Sequence, residues 1–178
     1  MSRFLAEKQD APLILTLELE QSVQDWAQSM RDHHFPQDRN IVPAHVTIFH
    51  ALPAEYADIL LTHLIRARQA PCVTIEAPFL LGRGVAYRVI SPEIKAVREE
   101  ISGLVPPERC TAQDRAPWHP HLTIQNKVSP QKARELLKHL SQGYEPVKTH
   151  GAALRLWRYL GGPWKLLVRA PFMLRGDS

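Results

Sequence analysis

The sequence predicts an α+β fold in which two similar halves surround a central cleft. Segments with the two-residue hydrophobic period of a strand alternate with segments that have the 3.6-residue period of a helix. The order strand, helix, loop, strand, helix, strand fills residues 13–81 and returns over 85–174, where one more strand follows. We therefore predict a bilobal, pseudo-twofold duplication, with two antiparallel-rich sheets flanked by helices around the cleft.

The first half is predicted to hold three strands and two helices. Within residues 13–20, leucines fall on one face and Thr16, Glu18 and Glu20 on the other, which is typical of a half-buried strand. Ser22 is the predicted N-cap of the helix that follows. A second strand is expected at 45–52, a helix after Pro53 and a third strand at 72–81.

The second half repeats this order with clearer helix starts. Ser91-Pro92 and Ser129-Pro130 each place a capping serine before a proline, the residue favoured in the first turn of a helix. Irregular loops are predicted at 33–44 and 105–118, one before the middle strand of each half. The strands of this half are predicted at 85–90, 121–127, 151–160 and 164–174.

Length and composition suit one domain with a substantial core. The 178 residues are 44% hydrophobic, so we assign a single bilobal domain to residues 12–174 and a flexible lead-in to residues 1–11. Lys and Arg number 22 against 18 Asp and Glu, a net charge of +4. This mild excess permits a phosphate-bearing ligand without requiring one.

Other sequence features indicate a cytoplasmic protein. Cys72 and Cys110 stand outside any CxxC motif or disulfide framework, as expected of free thiols in a reducing compartment. The first ten residues are mixed and charged, unlike a signal peptide. No apolar run reaches the roughly 20 residues of a membrane helix. We expect no membrane association and a monomer.

Two short motifs occupy equivalent places in the two halves: His45-Val46-Thr47-Ile48 and His121-Leu122-Thr123-Ile124. Alternate side chains of a strand share a face, so each strand presents a histidine and a threonine on one side and two aliphatic residues on the other. One His-x-Thr carries little information, because it occurs by chance in many proteins. Two copies in a repeated order of elements predict that the two polar faces meet across one cleft.

The paired motifs suit displacement at a phosphodiester. Such a reaction needs a base for the attacking oxygen and an acid for the leaving oxygen. Histidine can perform either task, because its ordinary pKa of about 6.5 lies near working pH. Positioned acid or base catalysis accelerates a reaction by about 10²–10⁴ per group. Each threonine hydroxyl could donate to a phosphate oxygen, where negative charge develops in the transition state. No metal or other cofactor is required.

Three alternatives stay open at this point. A metal-dependent hydrolase would need further ligands beside the two histidines, and His119 could supply a third. A non-catalytic module could bind RNA ends without turnover, although such a module would not need both histidines. The substrate could also be a small cyclic or 2′-5′-linked nucleotide. The histidines at 33, 34, 63, 139 and 150 are interpreted as surface or loop residues.

The motifs resemble those of the 2H phosphoesterases, and most closely those of the 2′-5′ RNA ligase branch. Both tetrapeptides match the H-x-[ST]-h pattern without departure, Pro120 also fits, and the order of elements agrees over about 12–174. The resemblance implies a bilobal fold and metal-independent opening of 2′,3′-cyclic phosphates at RNA 3′ ends or in small cyclic nucleotides, which leaves a 2′-phosphate. Some relatives also join such ends to a 5′-hydroxyl without ATP, forming a 2′-5′ linkage.

The resemblance also implies roles for the motif residues. His45 and His121 would be the catalytic pair, with one acting as acid and the other as base. We expect His121 to be the base for water and His45 the acid for the 3′ leaving oxygen. Thr47 and Thr123 would hold the phosphate.

Further ligand contacts are suggested by periodicity alone. Arg155, Trp157 and Tyr159 share one face of the strand at 151–160, where a base could stack on an aromatic ring and Arg155 could contact a phosphate. The same pattern also describes the outer face of an ordinary sheet. Arginines at 83, 109 and 115 lie in turns or loops that could border the cleft or could simply be solvated.

Overall fold

Strands and helices alternate along the computed structural model, which describes residues 10–174 and residue 176. The strands are β1 (Leu13–Leu19), β2 (Val46–Leu52), β3 (Cys72–Leu80), β4 (Val85–Ile90), β5 (His121–Gln125), β6 (Val147–Tyr159) and β7 (Trp164–Pro171). The α-helices are α1 (Gln21–His34), α2 (Ala57–Leu64), α3 (Pro92–Ser102), α4 (Ala112–Arg115) and α5 (Pro130–Ser141). Single 3₁₀ turns occur at Gln37–Arg39, Ala54–Tyr56 and Pro107–Arg109. Most of the predicted lead-in, residues 1–9, lies outside the described residues.

All seven strands belong to one antiparallel sheet, in the order β1-β2-β5-β4-β3-β6-β7. A further pairing of β1 with β6 joins six of the strands into a closed ring. The pairings in this ring have a twofold symmetry. If β1 and β4, β2 and β5, and β3 and β6 trade places, the same strands are paired. The α+β architecture is confirmed, but the two predicted sheets are continuous through the β2–β5 and β3–β6 pairings. The duplication of the sequence stays a prediction.

The outer face of the ring packs against the helices and forms the core. Alternate leucines of β1, from Leu13 to Leu19, are at most 1% exposed, and the aliphatic residues of both motifs are fully buried. Burying one such side chain contributes about 1.5–3 kcal/mol. The opposite, inner face carries polar side chains, including Thr16 and Glu18 of β1. The predicted alternation of the motif strands therefore places their histidines and threonines on the inner face.

Local sequence signals explain where most helices begin. The hydroxyl of Ser91 accepts a hydrogen bond from the N–H of Ile94, and that of Ser129 accepts one from Lys132, so both predicted caps are confirmed. The predicted cap at Ser22 is wrong. Glu20 occupies the N-cap position of α1, because its longer carboxylate reaches the N–H of Ser22.

The loops contain more structure than the sequence predicts. The segment 105–118 holds a 3₁₀ turn and the short helix α4. The strand predicted to start at Gly151 begins four residues earlier, since Val147 to His150 pair with β3 although three of these four residues are polar. None of the helices within the described part of the chain combines the length and the apolar character needed to cross a membrane.

Candidate active site

The two motif strands are neighbours in the ring. Val46 of β2 pairs with Leu122 of β5 in an antiparallel bridge. Extending this register by one residue in each direction places Thr47 opposite His121 and His45 opposite Thr123. The four polar motif residues therefore occupy one face of two adjacent strands, with each histidine across from the threonine of the other motif.

Both motif histidines are oriented by the same main-chain contact. Nδ1 of His45 lies 2.6 Å from the carbonyl oxygen of Pro43, and Nδ1 of His121 lies 2.8 Å from that of His119. A carbonyl can only accept, so Nδ1 carries the proton in each ring. The remaining nitrogen of a neutral ring, Nε2, is then free to accept a proton from a substrate or a water molecule.

The protein environment makes His45 a weak base. Removal of water from its ring by the surrounding atoms lowers its pKa to about 4, although part of the residue remains accessible to solvent. The hydrogen bond to Pro43 opposes this shift, whereas the charge of Arg31 and the nearby imidazoles of His121 and His50 add to it. His45 is therefore neutral near pH 7.

Each histidine ring lies beside an aromatic ring that the motifs do not reveal. The ring of Trp164 is 5.0 Å from that of His45 between centroids, and the ring of Phe79 is 6.4 Å from that of His121. Arg88, the cross-strand partner of His121 on β4, lies over Phe79 at 5.5 Å. These contacts depend on the register of β3, β4 and β7, so a pattern read along one strand does not identify them.

The predicted contact Arg155 lies on the inner face but is engaged by a carboxylate. Its Nε donates to Glu18 across 2.6 Å, and Nε of Arg169 donates to the same oxygen across 2.9 Å. Glu18 is 8% exposed, so two arginines neutralise a carboxylate that has little contact with water. An Arg155 contact to phosphate would compete with this pair.

The two predicted aromatic contacts differ in accessibility. Trp157 is 8% exposed, and its indole N–H donates to the hydroxyl of Thr16 across 2.9 Å. Trp164 packs on Trp157 at 6.0 Å between centroids and keeps part of its surface open. Tyr159 is 40% exposed. Trp164, not Trp157, therefore offers an accessible ring next to a motif histidine.

A buried arginine fixes the segment that leads into the first motif. Arg31 of α1 is 4% exposed and donates to the carbonyl oxygens of Thr123 and Val42 and to the side-chain oxygen of Asn40, at 2.9–3.1 Å. These bonds connect α1, the loop before His45 and the second motif strand. Arg31 therefore holds the two halves of the site in register.

A second set of contacts covers the free edge of β2, where β5 diverges from it. The carboxylate of Asp114, which is 5% exposed, accepts hydrogen bonds from the backbone N–H groups of His50 and Ala51, each across 2.8 Å. The indole N–H of Trp118 donates to the carbonyl of Thr47 across 3.0 Å. Arg98 donates to the carbonyls of Ile48 and Asp114. Side chains from 98–118 thus replace a neighbouring strand.

The other arginines and histidines singled out in the sequence lie apart from the motif pair or at its margin. Arg109 pairs with Glu55, and Arg83 donates to the carbonyl of Val128. His63 is 6% exposed and contacts Glu100 at 2.5 Å, so its assignment to the surface is wrong. Within the described residues, no three His, Cys, Asp or Glu side chains are grouped as metal ligands.

Comparison with known proteins places the chain in a family. The family model described as the 2′-5′ RNA ligase superfamily matches residues 19–163, which is most of the chain. The chain therefore belongs to the 2′-5′ RNA ligase superfamily, a group of the 2H phosphoesterase class. A search of curated proteins gives no match.

Solved structures support the same fold. E. coli LigT in complex with 3′-AMP is 17% identical, with a TM-score of 0.60, and the match covers 92% of this chain and 99% of that one. The Thermus thermophilus protein TT0787 is 18% identical, with a TM-score of 0.61 and coverage of 94% and 100%. A protein described as a phosphoesterase is 16% identical, with a TM-score of 0.60 and coverage of 92% and 99%. At these identities the similarity shows the fold.

Proposed function

We propose that the chain is a metal-independent phosphodiesterase that opens RNA 2′,3′-cyclic phosphates to 2′-phosphates by two-histidine acid–base catalysis. The observation that carries this proposal is the arrangement of the motif strands. Two imidazoles and two hydroxyls share one face of adjacent strands, and both imidazoles are held through Nδ1 by a main-chain carbonyl. Family membership supports phosphoester chemistry, and the crystallised LigT complex contains 3′-AMP.

The low pKa of His45 favours this residue as the base. At pH 7 a group with a pKa of about 4 is protonated in only about one molecule in 10³, so it is poorly suited to donate a proton. In the proposed step, Nε2 of His45 takes a proton from water as the water oxygen attacks phosphorus. The bond from phosphorus to O3′ breaks, and His121 protonates O3′. These roles are the reverse of those expected from the sequence, in which His121 is the base and His45 the acid.

The threonines complete the proposed transition-state contacts. Thr47 lies opposite His121 and Thr123 lies opposite His45, so a hydroxyl flanks each end of the in-line path. Each hydroxyl donates to a non-bridging oxygen as negative charge increases there. A 5′-hydroxyl in place of water would give a 2′-5′ linkage by the same displacement, which is the ligation that the family's name describes. RNA 3′ ends in the cytoplasm are the proposed substrate, and the chain is proposed to act as a monomer.

Product analysis tests the proposed function. The purified chain is incubated with 2′,3′-cyclic AMP and with a short RNA that ends in a cyclic phosphate, with and without EDTA. We expect conversion to the 2′-phosphate at the same rate in both buffers. A 3′-phosphate product would contradict the proposed leaving group, and loss of activity in EDTA would contradict metal independence. Binding without turnover would favour the RNA-end-binding alternative.

The pH dependence provides a prediction about the base. We expect a bell-shaped profile of kcat/KM whose acidic limb lies near pH 4, because this limb reports the base of the free enzyme. His45 binds fewer protons in the folded than in the unfolded chain between pH 4 and 6.5, so folding stability should decrease as pH falls through that range. An acidic limb near pH 6.5 would contradict the proposed role of His45.

Replacement of Trp164 tests where the base of the nucleotide stacks. Stacking on an aromatic side chain contributes about 1–3 kcal/mol per base, so Trp164→Ala should raise KM about 5- to 150-fold and change kcat less. Loss of the ring also admits water to His45, which should raise the pKa of His45 and move the acidic limb of the pH profile to higher pH. Tyr159→Ala is the comparison variant. A larger KM effect from Tyr159→Ala would assign the stacking role to Tyr159.

A further inference from the structure

Two adjoining pockets lie next to the second motif but outside the motif pair. One has a volume of about 360 Å³ and runs from the end of β4 to Pro120. The other has a volume of about 320 Å³ and lies beside Arg98 and Arg115. Lys95 and Trp118 line both pockets, so together the pockets form one groove. The motif histidines and threonines line neither of them.

The groove is adjacent to the second motif along the chain. Pro120 precedes His121 in the chain, and Trp118 lies three residues before it, at most about 10 Å along the backbone. The indole N–H of Trp118 also donates to the carbonyl of Thr47 of the first motif. A polymer whose end is held at the motif pair could therefore continue into this groove.

The charges along the groove favour an anionic polymer. Lys95, Arg98 and Arg115 contribute three positive charges, and Glu99 contributes one negative charge. The Lys95–Glu99 pair is 4.0 Å apart with both side chains about 70% exposed, so it neutralises little of this charge. Arg98 donates to two backbone carbonyls and interacts with the charge of Asp114, so the exposed Lys95 and Arg115 supply the charge available to a ligand.

The groove also contains surfaces on which a base can stack. Trp118 and Pro120 are partly exposed, and Ile90 at the far end is 47% exposed. Each pocket has the size of a small-ligand site. Cations that follow a backbone, interleaved with flat apolar surfaces, are the arrangement by which proteins bind single-stranded nucleic acid.

We propose that this groove, lined by Lys95, Arg98, Arg115, Trp118 and Pro120, binds the RNA nucleotides that precede the terminal cyclic phosphate. The proposal rests on the proposed function and extends it from the reacting phosphate to the strand that carries it. Lys95 and Arg115 bind the backbone phosphates, and Trp118 supports a base. The enzyme accordingly prefers an RNA end over a mononucleotide.

A charge-reversal variant tests the groove separately from the catalytic site. The variant Lys95→Glu with Arg115→Glu changes two exposed side chains that the catalytic mechanism does not use. We expect kcat/KM for a hexanucleotide ending in a 2′,3′-cyclic phosphate to fall at least about tenfold, with 2′,3′-cyclic AMP turned over as before. The slope of log kcat/KM against log salt for the hexanucleotide should decrease by about 1.4, since each single-strand phosphate contact contributes about 0.7.

A matched control makes the same change in charge elsewhere. Lys132→Glu with Arg134→Glu alters two exposed residues of α5, which line neither pocket. This variant should leave kcat/KM for both substrates, and the slope of log kcat/KM against log salt, unchanged. Equal losses in the two double variants, or equal effects on the hexanucleotide and on 2′,3′-cyclic AMP, would overturn the groove proposal. Equal competition by poly-glutamate and by RNA would show a general anion-binding surface and would also overturn it.

Failure of the groove proposal differs from failure of the proposed function. A wild-type chain that hydrolyses neither substrate would contradict the proposed function. In that case the groove is tested by binding, measured as the fluorescence anisotropy of a labelled hexanucleotide that ends in a 3′-phosphate. Weaker binding by the Lys95→Glu, Arg115→Glu variant alone supports the groove. Equal binding by wild type and both double variants overturns it. Turnover of both substrates without any effect of the groove variant overturns the groove and leaves the function intact.

Discussion

Replacing either motif histidine with alanine should lower kcat for hydrolysis of a 2′,3′-cyclic nucleotide by about 10²–10⁴-fold. Each imidazole is expected to transfer one proton in the displacement. In a single variant, Nδ1 of the remaining histidine is still bonded to a carbonyl, so that ring cannot transfer the second proton as well. The double variant of His45 and His121 should lose little more than the worse single variant, because an acid and a base that act in one step are not additive.

Two observations separate this loss of chemistry from loss of structure. His139→Ala, which removes an exposed imidazole of α5, should leave kcat unchanged and serves as the matched control. Thermal unfolding of the His45 and His121 variants should show that both remain folded. Full activity in either folded single variant would exclude the two-histidine mechanism. Removal of His45 should also eliminate the acidic limb of the pH profile, whereas removal of His121 should not.

Asp114→Ala should lower the free energy of unfolding by about 3 kcal/mol, with a fall in Tm of about 6–12 °C. The carboxylate accepts from the N–H groups of His50 and Ala51, and alanine leaves both without a partner at the edge of β2. Burial raises the pKa of Asp114, but the hydrogen bonds from His50 and Ala51 outweigh burial and lower it, so the group is ionised near pH 7. Urea unfolding and calorimetry measure the loss.

Comparison variants identify the cause of that loss. Asp114→Asn keeps one acceptor oxygen and should be intermediate in stability. Asp38→Ala removes a carboxylate that is 77% exposed and should change stability by less than about 0.5 kcal/mol. If Asp114→Ala were as stable as Asp38→Ala, the edge of β2 would not depend on this carboxylate.

The sequence predicts those parts of the site that local rules determine. Alternation along each motif strand is a local property, so the inner-face positions of His45 and His121 follow from neighbouring residues. The caps at Ser91 and Ser129 are equally local and are confirmed. The cap of α1 is missed because Glu20, the residue directly after β1, accepts from the N–H of Ser22, so the helix begins before the predicted serine cap.

The missing parts of the site come from distant segments. Trp164 reaches His45 only because β7 pairs with β6, and Arg88 neighbours His121 only because β4 pairs with β5. Asp114 lies in the segment 105–118, which contains three prolines and lacks the hydrophobic periodicity of a strand or a long helix. Its support of β2 therefore has no signature in the sequence. These relations require the register of the sheet, which a single sequence does not provide.

The β1–β6 pairing has a consequence for biosynthesis. Leu19 pairs with Gly151, which lies roughly 130 residues later in the chain. The ring of strands can therefore close only after almost the whole chain has been synthesised. Translation proceeds at about 5–20 residues per second, so the edge of β1 that pairs with β6 stays unpaired for on the order of 10 seconds during synthesis. The nascent chain is therefore expected to hold an exposed strand edge of alternating leucines during this interval. Slow refolding and recognition of the nascent chain by chaperones are the expected results of a closed ring in an otherwise ordinary α+β domain.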